Sequence, residues 1–161
     1  MAAVYLSLGS NLGAREENIA AAVAALVKSG VRVLKASSVV ETRPYGLAGQ
    51  PDFLNCALEC ETELSPPELL AAALRIEAGL GRERRVRWGP RTVDIDIIFY
   101  GGEIINSPEL TVPHPDMANR EFVLGPLCEL APDLAHPVLK LTVCELRRRL
   151  AKSQEPARQD K

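Results

Sequence analysis

The stretch Val93-Asp-Ile-Asp-Ile-Ile-Phe-Tyr100 reads as a β-strand, and it decides the fold. Val93, Ile95 and Ile97 share one face of such a strand, and Asp94 and Asp96 share the other. An apolar face wants a layer of helix against it. Two aspartates about 7 Å apart, pointing the same way, want something positive between them.

Working back from this strand, five arginines crowd the preceding loop: Arg82, Arg84, Arg85, Arg87 and Arg91. Before the loop, Ser65-Pro66-Pro67-Glu68 opens a helix with an N-cap serine, proline at the first turn and a capping-box glutamate. That helix carries Leu69, Leu70, Leu74 and Ile76 and ends at Gly79 and Gly81. Earlier still, Phe53–Thr62 is a strand, with Leu54, Cys56 and Leu58 on one face and Phe53, Asn55 and Glu59 opposite. The segment Thr42–Asp52, TRPYGLAGQPD, holds two prolines and two glycines and reads as an irregular loop. Val31 to Val40 reads as one β-branched strand. A helix from about Ala14 carries Ile19, Val23, Leu26 and Val27 up to Gly30, and Val4–Leu8 is the first strand.

The order is β-α-β-β-α-β, which predicts an α+β, ferredoxin-like fold. Its four-stranded antiparallel sheet carries both helices on one face. The other face then presents Phe53, Asn55, Asp94 and Asp96 as a site. After Asn106 the sequence is broken by prolines, with short helical patterns around 122–130 and 143–150. Residues 1–150 read as one domain and 151–161 as a polar, disordered tail.

With 161 residues, 47% hydrophobic and 25% charged, the chain has the composition of an ordinary globular domain. Its net charge of −2 supplies no global field for nucleic acid or anionic lipid, so the arginine cluster is a local feature. No apolar run reaches the roughly 18 residues of a membrane span. The first residues lack the basic start of a signal peptide. Cys56, Cys60, Cys128 and Cys144 contain no C-x-x-C pair and read as reduced thiols in a cytoplasmic protein.

Hard cations prefer oxygen ligands, and Mg²⁺ commonly takes one or two carboxylates and completes its shell with waters and phosphates. Taken alone, the D-I-D pair serves equally well to solubilise an open sheet face, and a charge run is usually a solvated surface. Together they specify Mg²⁺ and a di- or triphosphate, since arginine forks suit phosphate oxygens. Trp88 either shields those phosphates or anchors the loop. There is no P-loop and no G-x-G-x-x-G fingerprint; Gly9-Ser10-Asn11-Leu12-Gly13 reads as a tight turn.

These residues also match a known pattern. Arg87-Trp-Gly-Pro-Arg-Thr-Val-Asp-Ile-Asp-Ile-Ile98 resembles the signature of the 6-hydroxymethyl-7,8-dihydropterin pyrophosphokinases of folate biosynthesis. L-G-S-N-L-G near the start, Q-P-D-F-L-N at 50–55, R-I-E at 75–77 and L-T-V-P-H-P-D-M-A-N-R at 110–120 agree in order. The resemblance spans about Val4 to Pro132. It implies a ferredoxin-like, cytoplasmic enzyme that moves the terminal pyrophosphate of ATP onto the pterin hydroxymethyl group and releases AMP.

Carried over by position, Asp94 and Asp96 would hold two Mg²⁺ ions. Arg82, Arg91 and Asp96 would be catalytic. Glu77, Arg82, Arg84, Trp88, Arg91, Ile97, His114 and Arg120 match the ATP side. Phe53 and Phe122 match an aromatic pair that sandwiches the pterin, while Thr42, Pro44 and Asn55 would read its edge. Three positions depart from the pattern: Pro115 follows the histidine where an aromatic is frequent, Glu109 stands where an arginine occurs, and Leu74 replaces a frequent glutamine. Two alternatives stand beside this reading. One is a nucleotide-binding regulator without activity. The other is an RNA-binding module, whose stacking face the strand aspartates disfavour. The expected partners are ATP and the pterin, with no nucleic acid and no membrane. A monomer is expected, because no helix carries a spare apolar stripe.

Overall fold

A computed structural model of the chain describes residues 1–42, 52–80 and 92–154. In order these form β1 (Ala2–Ser10), α1 (Arg15–Lys28), β2 (Val31–Ala36), β3 (Val40–Thr42), β4 (Phe53–Thr62), α2 (Pro66–Gly79), β5 (Asp94–Tyr100), β6 (Ile105–Asn106), β7 (Thr111–Val112), a 3-10 turn (Met117–Asn119), α3 (Glu121–Leu130) and α4 (Val143–Ser153). The main sheet runs β2-β4-β1-β5, all antiparallel, with β3 also pairing β4. This is the expected βαββαβ order, with its two halves interleaved.

The second helix begins as its sequence dictates. Ser65 Oγ accepts from the Glu68 N–H and Glu68 Oε1 accepts from the Ser65 N–H, with Pro66 in the first turn. Thr142 and Glu145 make the same reciprocal pair at the start of α4. Gly30, at φ 101°, supplies the left-handed residue that turns α1 into β2.

The apolar faces assemble as their alternation predicts. Val4, Leu6 and Leu8, with Leu54, Cys56 and Leu58, and Val93, Ile95 and Ile97, meet Ile19, Leu26, Leu69 and Ile76 from α1 and α2 in one core.

Four features differ from the expectation. The stretch 31–40 is not one strand. Ala36 faces Leu58 and Val40 faces Asn55, so four steps on one side match three on the other. Ser37 and Ser38 occupy the resulting bulge. Ser37 N donates to the Ala57 carbonyl, and Ser37 Oγ accepts from the Ala57 N–H at 2.8 Å.

The second face of the sheet is not open along its length. α3 and α4 build a second core there from Val123, Leu124, Leu127, Val143, Leu146 and Leu150 against Ala57, Ile98 and Phe99. A bulge in β5 makes this possible. Leu6 faces Ile97 and Tyr5 faces Phe99, which leaves Ile98 as the extra residue. Ile98 and Phe99 therefore both enter the second core, and Tyr100 returns to the first. α4 also runs on to Ser153, past the boundary expected for the tail, because Leu150 is still buried.

The cysteines divide. Cys56 and Cys60 are buried free thiols, as expected, but Cys128 and Cys144 form a disulfide joining α3 to α4. Their Cα atoms lie 5.0 Å apart. Helix packing, rather than any spacing motif, brings them together.

Candidate active site

The uncovered half of the second face lies at the Gly9 end of β1. Across the strands, Asp94 stands opposite Gly9 and Gly9 opposite Asn55; one step along, Asp96 stands opposite Ser7 and Ser7 opposite Ala57. Two strand spacings put the Asp94 and Asn55 backbones about 10 Å apart. Phe53 follows beyond the end of β1, paired to Thr42 of β3. Asp94, Asp96, Phe53 and Thr42 are half-buried, whereas Ser7, Ser10, Asn11 and Asn55 are buried polar residues. This row therefore carries two carboxylates on one side and a ring, an amide and a hydroxyl on the other.

Gly9 separates the two sides, and it must be glycine. A Cβ there would stand 2.7 Å from Asn55 Oδ1 and 3.5 Å from the Phe53 ring. Asn55 is aimed by Thr42, whose Oγ1 accepts from Asn55 Nδ2 at 2.6 Å. That bond occupies the amide donor toward β3 and leaves Oδ1 over Gly9.

Glu77 is 3% exposed, and its Oε2 accepts from the Ile95 N–H at 2.7 Å. Ile95 lies between the two aspartates, so this carboxylate from α2 holds the edge strand that carries them. Ile97 points its side chain into the helix-covered core, so only its backbone can face a nucleotide.

The segment after β7 closes one flank. The His114 N–H donates to the Ile98 carbonyl, the residue freed by the bulge. His114 Nδ1 accepts from the Asp116 N–H at 3.2 Å, which leaves Nε2 to carry the proton of the neutral ring. Burial, then the nearby Arg120 charge, push the His114 pKa below its ordinary value, against an opposing pull from Asp116. Arg120 reaches Asp116 at 3.6 Å and lies 5.7 Å from the centre of the Phe122 ring. His114, Arg120 and Phe122 are thus brought together at the start of α3.

Arg82, Arg84, Trp88, Arg91 and Pro44 lie outside the described residues. Among the described residues, no group of three or more His, Cys, Asp or Glu side chains gathers as a metal site. Two oxygen-donor side chains on one half-buried face fit a hard cation that takes its other ligands from water and phosphate. Sequence reasoning missed Gly9 and Ser7, whose signal was the small residues in phase with Phe53 and the aspartates across the sheet.

The model of the 7,8-dihydro-6-hydroxymethylpterin-pyrophosphokinase family matches residues 5–132, a span that contains Gly9, Asn55, the two aspartates and the His114–Phe122 flank. The chain belongs to this family. Among curated relatives, the 2-amino-4-hydroxy-6-hydroxymethyldihydropteridine pyrophosphokinase of Haemophilus influenzae is 47% identical over 138 residues, 85% of this chain and 86% of that protein. The folic acid synthesis protein fol1 of Pneumocystis carinii is 45% identical over 141 residues, 88% of this chain. This chain spans 19% of that longer protein. A crystal structure of Plasmodium falciparum HPPK-DHPS shares the fold at a TM-score of 0.71 and 16% identity, over 96% of this chain and 45% of that one. The pyrophosphokinase fold thus occurs both alone and within longer chains.

Proposed function

We propose that this pyrophosphokinase-family chain transfers pyrophosphate from ATP to the hydroxymethyl group of 6-hydroxymethyl-7,8-dihydropterin, giving AMP and the pterin pyrophosphate for folate biosynthesis. One observation carries the assignment of roles: the carboxylates and the ring-and-amide group share one open face, on either side of a residue with no side chain. A flat bicyclic ring lying over Gly9 would have its polar edge at Asn55 and Thr42 and its substituent directed at Asp94 and Asp96.

Phe53 would stack one face of the ring, and Phe122 of α3 is proposed for the other. Asn55 Oδ1 accepts from a ring N–H, with Thr42 fixing the amide so that this oxygen cannot turn away. The His114 ring, protonated at Nε2, offers a donor to the nucleotide, as does the Arg120 guanidinium. Arg82, Arg84, Trp88 and Arg91 are proposed to neutralise and cover the phosphates, with Arg82 and Arg91 acting on the transferring group together with Asp96. Asp94 and Asp96 would hold two Mg²⁺ ions, which when bound supply charge neutralisation along the phosphate chain and activation of the attacking hydroxyl. The remaining catalysis is positioning: the ring clamp fixes the acceptor oxygen in line with the β-phosphorus.

We place the protein in the cytoplasm as a monomer. Among the described residues, no helix is long and apolar enough to cross a membrane. The Cys128–Cys144 bond is unusual for that compartment.

Product analysis with ATP, Mg²⁺ and 6-hydroxymethyl-7,8-dihydropterin tests the reading. AMP appearing in step with pterin pyrophosphate supports it. ADP would mean ordinary phosphoryl transfer, and no turnover with ATP still bound would favour the regulator.

A further inference from the structure

Glu129 is an exposed residue near the end of α3, yet both of its oxygens are committed. Oε2 accepts from the Ser38 N–H at 2.9 Å and Oε1 accepts from Ser38 Oγ at 2.6 Å, across 91 positions of sequence. These bonds hold the Glu129 carboxyl below its ordinary pKa, against a small opposing effect of burial. Ser38 belongs to the bulge that separates β2 from β3. β3 has three residues, all paired to β4 alone, and side chains from other elements hold both of its ends. Arg15 fixes the far end, through Glu41 at 2.9 Å and the Asp52 carbonyl at 2.7 Å. Glu129 fixes the near end.

We infer that Glu129 is a positioning residue for the pterin side of the site. By clamping Ser38 it ties the strand that presents Thr42 to the helix that carries Phe122, and so sets where the Asn55 amide stands. The inference rests on the proposed pterin reading for the ligand and on the hydrogen bonds for the mechanism. α3 packs against both β3 and β4, so a movement of β3 relative to α3 shifts Thr42, and with it the Asn55 amide, relative to the Phe122 ring. An ordinary surface hydrogen bond would contribute to stability alone. This one spans two elements that each contribute a ring or an acceptor to a single ligand, so its loss should appear in one substrate and not the other.

The test compares Glu129→Ala, Glu129→Gln and Ser38→Ala with the wild type. Binding of 6-hydroxymethyl-7,8-dihydropterin and of a non-hydrolysable ATP analogue with Mg²⁺ is measured separately, alongside thermal midpoints. The Asn55 side-chain amide signals are followed by NMR. For Glu129→Ala the expected result is a pterin Kd raised about three- to tenfold, as for loss of a charged hydrogen bond at an exposed site. ATP-analogue affinity stays within about twofold, and the Asn55 signals shift. Glu129→Gln, which keeps its amide oxygen as an acceptor, falls between wild type and alanine. Ser38→Ala adds little in the Glu129→Ala background, because the two residues act through one contact. An unchanged pterin Kd overturns the inference. So does a parallel fall in pterin affinity, ATP affinity and thermal midpoint, which would mark Glu129 as structural. A wild type that binds no pterin either alone or with the ATP analogue and Mg²⁺ present overturns the functional reading itself; stationary Asn55 signals in Glu129→Ala would overturn the positioning mechanism whatever the ligand.

Discussion

Gly9 shows how much a missing side chain can decide. Its neighbours across the sheet are Asp94 and Asn55, and the space above it joins the carboxylate side of the face to the amide side. Gly9→Ala puts a methyl group 2.7 Å from Asn55 Oδ1, closer than a methyl carbon can stand, so the amide must turn or β4 must shift. The expected outcome is a loss of pterin affinity of about tenfold or more with ATP binding preserved, measured by titration with each ligand. Equal losses for both ligands would mean that the strand itself had been displaced. Asp96 makes the complementary test. Asp96→Ala should abolish turnover and Mg²⁺-dependent ATP binding while the circular dichroism spectrum and thermal midpoint stay close to wild type, because its half-buried carboxylate belongs to neither core. Turnover near the wild-type level would remove Asp96 from the metal role.

At the scale of elements, the C-terminal helices act as a unit. α3 and α4 are joined by the Cys128–Cys144 bond and by Arg147, which donates to both oxygens of Glu121 at 3.2 and 2.9 Å. Gly125 leaves room for that pair, since a Cβ there would stand 2.7 Å from Glu121 Oε2. Closing a loop of 16 residues is worth up to about 3 kcal/mol, so reduction or Cys144→Ser should lower the thermal midpoint by about 5–10 °C. Thiol titration of the native protein checks the assignment. With the disulfide intact, no thiol should react quickly, since burial raises Cys56 to about 11 and Cys60 to about 12, the latter helped by Glu59. Mild reduction should expose two reactive thiols on the helices. Two fast thiols without reductant would mean that the bond does not form.

The elements also show what a sequence can and cannot carry. α2 was legible from Ser65 to Gly79 because its cap, its proline and its apolar spacing all lie within one short segment. β4 was legible because its alternation is unbroken. The break at Ser37 and Ser38 was not, since the groups that hold it, Ala57 and Glu129, lie 20 and 91 positions away. The cover over half of the second face was equally hidden. The helical patterns after Asn106 specify helices but not the surface they meet, and Ile97-Ile98-Phe99-Tyr100 is apolar throughout, with no period to betray a bulge. For the proposed site, the D-I-D pair and the arginine run are what point to an anion and a metal. Strand alternation put Asn55 on the site face, but its pairing with Thr42 was hidden, because β3 and β4 become neighbours only in the fold.

For the whole molecule, histidine and carboxylate titration set the acid limit. His136 is 7% exposed, packs edge-on against Phe99 at 5.8 Å, and its Nδ1 accepts from the Val138 and Leu139 N–H groups. Burial lowers its pKa, and His114 is lowered as well. A histidine depressed in the folded state contributes its full stability above the unfolded value near 6.5 and loses it as pH falls through the folded value. The three capping and clamping carboxylates, Glu68, Glu129 and Glu145, are lowered by the hydrogen bonds they accept. Their contribution is present above the ordinary carboxylate range and disappears below it. Urea midpoints measured from pH 8 to pH 3 should therefore fall in two stages, first below about 6.5 and again below about 4.5. His136→Gln should flatten the first stage. A curve level down to pH 5 would show that these rings are not protected in the folded state.

The extra residue in β5 has a consequence for how this strand tolerates change in length. Before Ile98 the odd positions belong to the helix-covered core, and after it the even ones do. The strand is two half-strands joined out of phase, one bearing the aspartates and the other bearing Phe99 and Tyr100. Deleting Ile98 would restore an unbroken alternation: Phe99 would still stand opposite Tyr5 and Tyr100 opposite Val4, so Tyr100 would keep the Leu64 carbonyl to which its hydroxyl donates. Asp94 and Asp96 would stay where they are. What would go is the extra residue itself, with its place in the second core and the carbonyl that accepts from the His114 N–H. The strand would survive its shortening, and the flank that carries His114 would lose its tether.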